Sequence, residues 1–234
     1  MTLTVVMPVY NEAATIVAAM DRVRAQPVVG QVVAVDDGST DATPALLSAY
    51  EGSADVLILR QPSRRGKGGA VREGLRHMTG DAAIIQDADL EYDPAEYPRL
   101  AAPVEEGRAD VVYGSRFGPA RGPGPSAPRG LCWHAAGNRL LTALSNLATG
   151  LRLTDMETCY KLMRRDVVEA ILPTLREDGF GIEPELTAKI ARRGYRVAEV
   201  PIAYQGRDYA AGKKIGVRDG FHALWCILRY ARRD

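Results

Sequence analysis

The sequence predicts an α/β fold, a doubly wound, mostly parallel sheet flanked by helices. Short β-branched apolar runs alternate with helical patterns at a steady pitch up to Tyr113. One of them, Ala82–Ile85, reads as a strand buried on both faces. The polar loops follow the first, second and fourth runs: Tyr10-Asn11-Glu12, residues 36–41 and residues 87–91. Parallel sheets bind ligands at those strand ends, so the loops point to a single site.

Taken in order, residues 2–9 form a strand, with Pro8 near the end of its ladder. Asn11 is placed to cap a helix over 13–25, and Pro27 follows its end. A second strand over 31–35 closes on Asp36-Asp37-Gly38-Ser39-Thr40-Asp41, where Thr40 or Asp41 caps a helix over 43–51. A third strand covers 56–59. Gly66-Lys67-Gly68-Gly69 then opens a helix over 70–78. It lacks the spacing of a nucleoside-triphosphatase phosphate loop, yet its glycines suit either a close approach to a ligand or a plain loop. After Ala82–Ile85, a helix over 96–107 leads to a fifth strand at 111–113. The density of Gly and Pro over 117–130 predicts a mobile loop or linker. Leucines 140, 141, 144, 147 and 151 give the helix over 131–151 a greasy face for core packing or, alternatively, a membrane. Residues 155–161, 180–185 and 195–204 follow as a loop, a helix start and a strand. In the tail, Phe221, Leu224, Trp225 and Leu228 share a stripe before Arg229, Arg232 and Arg233. That suits a lipid headgroup boundary and a docked terminal helix equally.

Composition narrows the function. Hydrophobic residues make up 46% and charged residues 25% of 234, as in soluble globular proteins. A net charge of +1 argues against nucleic acid as the partner. Cys132, Cys159 and Cys226 are far apart and show no metal-ligand spacing, which predicts incidental thiols in a reducing compartment. With neither a signal-peptide pattern nor a spanning apolar stretch, the expectation is a cytoplasmic protein, peripheral to a membrane at most.

The chemistry centres on residues 82–94. Asp87, Asp89 and Glu91 are spaced two apart, and in an extended segment they would face one way. Like charges so placed are costly without a cation, and hard oxygen ligands suit Mg²⁺ or Mn²⁺. A solvated acidic turn is the alternative.

Six motifs in order resemble the family 2 glycosyltransferases of GT-A fold, above all the dolichyl-phosphate mannose synthase and polyprenyl-phosphate glycosyltransferase branch. They are Met7-Pro8-Val9-Tyr10-Asn11-Glu12, Val35-Asp36-Asp37-Gly38-Ser39, Gly66-Lys67-Gly68, Gln86-Asp87-Ala88-Asp89-Leu90-Glu91, Gly114-Ser115-Arg116, and Arg207 with Lys213-Lys214. The likeness spans residues 5–220 and implies one catalytic domain over 1–234. Within it, 1–116 would hold the nucleotide sugar, 117–151 a loop and amphipathic helix, 152–219 the acceptor, and 220–234 a terminal amphipathic helix.

By the same resemblance, Pro8, Tyr10, Glu12, Val35 and Asp37 hold base and ribose, with Asp37 suited to uracil or guanine. Asp87, Ala88 and Asp89 match the Asp-x-Asp motif, with Asp89 as principal ligand of Mg²⁺ or Mn²⁺ and Glu91 as a further ligand where the mannose synthases carry Gln. Arg116, Arg207 and Lys213 meet the donor's phosphates, and Lys67 stands among the donor-binding residues. Asp155 matches a proposed base, with turn capping as its alternative, and Glu157 and Glu183 rank behind it. The implied reaction is an inverting hexose transfer from a nucleoside-diphosphate sugar (GDP-mannose or UDP-glucose type) to a polyprenyl phosphate. Its rivals are a soluble small-molecule acceptor, a non-catalytic nucleotide-sugar-binding module and a nucleotidyltransferase.

Overall fold

The computed structural model describes residues 1–117, 132–206 and 217–231. Arg207, Lys213, the Gly/Pro segment 118–130, the Trp133 side chain, Arg232 and Arg233 lie outside the described residues. The described strands are β1 (Leu3–Val9), β2 (Val29–Asp36), β3 (Val56–Arg60), β4 (Ala82–Ile85), β5 (Val111–Ser115), β6 (Lys161–Arg164) and β7 (Val197–Pro201). They form one sheet in the order β3-β2-β1-β4-β6-β5-β7. The helices are α1 (Ile16–Arg24), α2 (Thr43–Ser48), α3 (Lys67–Arg76), α4 (Tyr97–Glu105), α5 (Cys132–Thr149), α6 (Arg165–Ile171), α7 (Ile182–Arg192) and α8 (Val217–Tyr230).

β3, β2, β1 and β4 run parallel, with Pro8 of β1 opposite Val35 of β2. Val5, Val6, Val32, Val33, Ile84 and Ile85 are fully buried, so this half of the sheet is covered on both faces. Gly74 allows the covering. A Cβ there would stand 2.4 Å from Val6 Cγ1, so only glycine lets α3 lie this close to β1.

The sequence assigned 155–161 wholly to a loop and missed β6. At four residues, β6 is too short for a periodic signal, yet it pairs antiparallel with both β4 and β5. Its insertion separates β5 from β4. An antiparallel β6 starts at the edge where β4, β5 and β7 end. The turn after β4, Arg116 after β5, the stretch 155–160 before β6 and Tyr204 after β7 therefore share one rim. Both expected halves of the domain contribute strands to this sheet.

The leucine face of α5 is split. Leu141 and Leu144 pack on the core, as does Leu151 just past the helix, whereas Leu140 and Leu147 are exposed. α8 packs against α5 and α7 through Ala223, Cys226, Ile227 and Tyr230, leaving Phe221, Trp225 and Leu228 exposed. No helix of the described residues is long and apolar enough to cross a membrane.

Candidate active site

The loops after β1 and β2 are tied together by side chains. Asn11, expected to cap α1, does not: α1 starts at Ile16 and its preceding residue makes no side-chain cap. Asn11 instead adopts φ 51°, and its Oδ1 accepts the Thr40 N–H at 2.8 Å. Ser39 Oγ accepts the Asn11 N–H and Thr43 Oγ1 accepts the Glu12 N–H, each at 2.9 Å. Glu12, nearly buried, accepts a bond from Thr15 Oγ1. Asp37 is buried, and its two oxygens accept the N–H groups of Arg65 and Gly66 at 2.7 Å each. Those bonds fix the entry to α3, where Gly66 takes φ 109°. The Arg64 guanidinium lies 4.1 Å from the Tyr10 ring centroid, a cation–π contact on the ring expected to meet the base.

The acidic stretch is not extended. Residues 88–89 turn and Leu90 has φ 63°, so Asp87, Asp89 and Glu91 do not alternate along a strand as the sequence argument required. Each has its own engagement. Lys67 Nζ sits 3.0 Å from Asp87, Asp89 Oδ1 accepts the Glu91 N–H at 3.1 Å, and Glu91 Oε2 accepts the Tyr204 hydroxyl at 2.6 Å. Ala88 is buried beneath the turn. Behind it Gln86 Oε1 accepts the hydroxyls of Tyr97 and Tyr160, each at 2.7 Å, which pins the strand end into the core. The carboxylates of Asp87, a quarter exposed, and Asp89 are an oxygen-only donor set at the ligand edge, and that chemistry fits a hard divalent cation.

Buried charges continue from this turn. Glu183 lies between two ammonium groups, Lys67 Nζ at 3.0 Å and Lys161 Nζ at 2.5 Å. Lys161, fully buried, also donates to the carbonyls of Met156 and Thr158, stapling the stretch before β6. Burial alone would favour a neutral Lys67, but the carboxylates of Asp87 and Glu183 hold its pKa well above the ordinary value.

Asp155, the expected base, has no exposed surface, and its carboxylate is taken up by Arg116. Oδ2 accepts the Arg116 N–H at 3.0 Å and Nε at 2.7 Å, and Oδ1 accepts Nη2 at 2.8 Å and Asn138 Nδ2 at 3.1 Å. Burial pushes the carboxyl up, but the guanidinium outweighs it and leaves the pKa below the usual range. A carboxylate so bound is a weak, inaccessible base. The geometry pairs Asp155 with Arg116 and holds the guanidinium in one orientation. Glu157 differs, because burial, with Glu183 nearby, pushes its carboxyl up to about 7, and its Oε1 is buried without a hydrogen-bond partner among the described residues.

Sequence reasoning missed Arg64, Lys161, Tyr160 and Tyr204. Arg64 stood two residues before the Gly66-Lys67-Gly68 motif, and Tyr160 and Lys161 closed the stretch 155–161, but long-range pairing, invisible to spacing, brought them to the rim.

With this geometry the class of protein is clear: the fold is that of the GT-A glycosyltransferases. Glucosyl-3-phosphoglycerate synthase from Mycobacterium tuberculosis, crystallised with Mn²⁺, UDP and phosphoglyceric acid, superposes with a TM-score of 0.73 at 21% identity, covering 100% of this chain and 79% of that one. The chain belongs to glycosyl transferase family 2, whose model matches residues 4–172. It is 32% identical to the undecaprenyl-phosphate mannosyltransferase of Micrococcus luteus, with 96% of each chain covered. It is also 32% identical to glycosyltransferase AglJ of Haloferax volcanii, over 98% of this chain and 72% of that protein.

Proposed function

We propose that this glycosyltransferase moves a hexose from a nucleoside-diphosphate sugar to a polyprenyl phosphate, inverting the anomeric centre. The observation that carries this reading is the state of Asp155. Its carboxylate is buried and bound to Arg116, so it is poorly suited to deprotonate an acceptor. A phosphate monoester has its second pKa near 6 and attacks as an anion without a base. The end-to-end likeness to an undecaprenyl-phosphate mannosyltransferase supports the same acceptor class.

In this reading residues 1–116 hold the donor and 152–219 face the acceptor. Pro8, Tyr10, Glu12, Val35 and Asp37 frame the base and ribose. Asp87 and Asp89 hold Mg²⁺ or Mn²⁺, which supplies Lewis-acid stabilisation of the departing diphosphate. Arg116, oriented by Asp155, and Lys67 offer fixed positive charge to the same phosphates. Arg207 and Lys213 belong with them by the resemblance. Glu91, bonded to Tyr204, shapes the turn or adds a ligand. The exposed stripe Phe221, Trp225 and Leu228, with Arg229 packed over Trp225 at 4.7 Å, supports peripheral contact with a lipid surface.

One observation favours a soluble hydroxyl acceptor as the second reading. Glu157, with a carboxyl near neutrality, is tuned as a general base would be.

The test is transfer from UDP-, GDP- and dTDP-sugars with Mn²⁺, Mg²⁺ or EDTA, with and without a short polyprenyl phosphate. Metal-dependent turnover that needs the lipid phosphate and survives Glu157→Gln is expected. Transfer to a soluble alcohol alone, lost in Glu157→Gln, would overturn the reading in favour of the second. Asp89→Ala should lower turnover by at least ~100-fold while keeping the fold, since it removes a ligand of transition-state charge stabilisation.

A further inference from the structure

Cys226, an isolated thiol by sequence, stands in a cluster of three ligating side chains. His222 and Cys226 lie one helical turn apart on α8, and Glu177 reaches them from the segment before α7. His222 Nε2 is 2.8 Å from Glu177 Oε2 and 3.5 Å from Cys226 Sγ, and all three ligand atoms lie within 4.8 Å of one another. A Cβ on Gly181 would stand 2.6 Å from Sγ, 2.7 Å from Oε2 and 3.0 Å from Nε2. The three atoms thus converge beside a backbone that carries no side chain.

Without an ion the Cys226 thiol and the His222 ring both hydrogen-bond toward Glu177, and the same His222 nitrogen faces the carboxylate oxygen and the sulfur. The neighbours hold each group in place. Tyr230 OH donates to Glu177 Oε1 at 2.7 Å, leaving Oε2 to the cluster, and Trp225 stacks on the His222 ring with centroids 5.4 Å apart. Cys226 is fully buried, whereas the His222 side chain is 46% exposed.

We propose that Glu177, His222 and Cys226 bind a Zn²⁺ ion, with solvent completing the coordination on the exposed side of His222. Carboxylate oxygen, imidazole nitrogen and thiolate sulfur are the borderline set that zinc takes. Bonds of about 2.0–2.3 Å in a tetrahedron put neighbouring ligand atoms about 3.3–3.6 Å apart. The Sγ–Nε2 separation of 3.5 Å already matches, and the Oε2–Nε2 separation of 2.8 Å has to open by about half an ångström. Burial keeps the thiol protonated without the ion, so binding releases the Cys226 proton as the S–Zn bond forms. The site is separate from the Asp87–Asp89 turn but not remote in consequence. Asp178, next to Glu177, accepts the Gly69 N–H through its carbonyl at 3.0 Å, so the ion ties α8 to the segment that seats the start of α3.

The test is Co²⁺ titration of the chelator-stripped full chain, read by the sulfur-to-cobalt charge-transfer band that only thiolate ligation produces. It is run on the wild type, Cys226→Ser and His222→Gln, each checked for native circular dichroism. The expected result is one equivalent of Co²⁺ with the band, displaced by Zn²⁺ with a rise in Tm. Cys226→Ser should lose the band, and His222→Gln should bind roughly tenfold or more weakly. Absence of the band in the wild type, or a band that survives Cys226→Ser, overturns the proposal. His222→Gln replaces a half-exposed residue, so it serves if Cys226→Ser does not fold. Neither readout depends on sugar transfer.

Discussion

Asp155 and Glu157, two residues apart, have opposite electrostatics because of what surrounds them. Asp155 is enclosed by Arg116 and Asn138, whereas Glu157 has Glu183 nearby and an oxygen without a partner among the described residues. Asp155→Asn should destabilise the protein by about 3–5 kcal/mol, because it strands the Arg116 cation in a buried setting. Denaturant unfolding checks this. The Asp155→Asn/Arg116→Met double variant should recover much of that loss while staying inactive. Glu157 carries a pH signature. Folded, its carboxyl keeps its proton up to about pH 7, whereas the unfolded chain loses it near the ordinary glutamate value of 4.5. Between those values the native state binds the extra proton, so the group's contribution is full below 4.5 and declines as pH rises to about 7. Glu157→Gln should flatten the fall of Tm across that window and raise stability above pH 7 by about 1–3 kcal/mol. A Tm–pH profile identical to wild type would refute the assignment.

At the scale of elements, α8 is apolar on two sides for two reasons. Ala223, Cys226, Ile227 and Tyr230 anchor it on α5 and α7, and the Phe221–Trp225–Leu228 stripe is left over after that packing. Burying such a stripe contributes roughly 25 cal/mol per Å² of apolar surface removed from water. Phe221→Glu/Trp225→Glu should therefore reduce sedimentation with anionic vesicles by at least tenfold. Of the two changes, the one at Phe221 should shift stability by no more than about 0.5 kcal/mol, as exposed positions do. Vesicle binding unchanged by the pair would remove α8 from the membrane reading. β6 matters more than its four residues suggest. It runs opposite to β4 and β5, which delivers Asp155, Glu157 and Lys161 to the rim where the parallel strands end.

Across the whole molecule, buried charges run from Asp87 through Lys67 and Glu183 to Lys161, linking the turn after β4 to α3, α7 and the start of β6. A cation at the turn competes with Lys67 for Asp87, so metal and nucleotide should bind together better than either alone. Nucleoside diphosphate at about 100 times its Kd adds about 2.7 kcal/mol to stability, or about 5–10 °C in Tm for a chain of this size. That shift should appear with Mn²⁺ and vanish with EDTA. An equal shift in both would dissociate the donor from the Asp87–Asp89 turn.

Much of this was legible one segment at a time. Apolar runs and their pitch located every strand but β6, and the polar loops after β1, β2 and β4 marked the ligand edge, because those signals are local and periodic. Six short motifs in order were enough to point to the family. Side-chain partnership was not legible. Asn11 has the chemistry of a helix cap but ties two loops together. The acidic trio has the spacing of an extended face but sits on a turn. Asp155 has the residue type of a base, and its pairing with Arg116 and Asn138 is seen only in the fold. His222 and Cys226 gain Glu177 only through packing of α8. In each case residue type and spacing set what the group is able to do. Contacts formed between segments distant in the chain, together with the water those contacts exclude, set what it does.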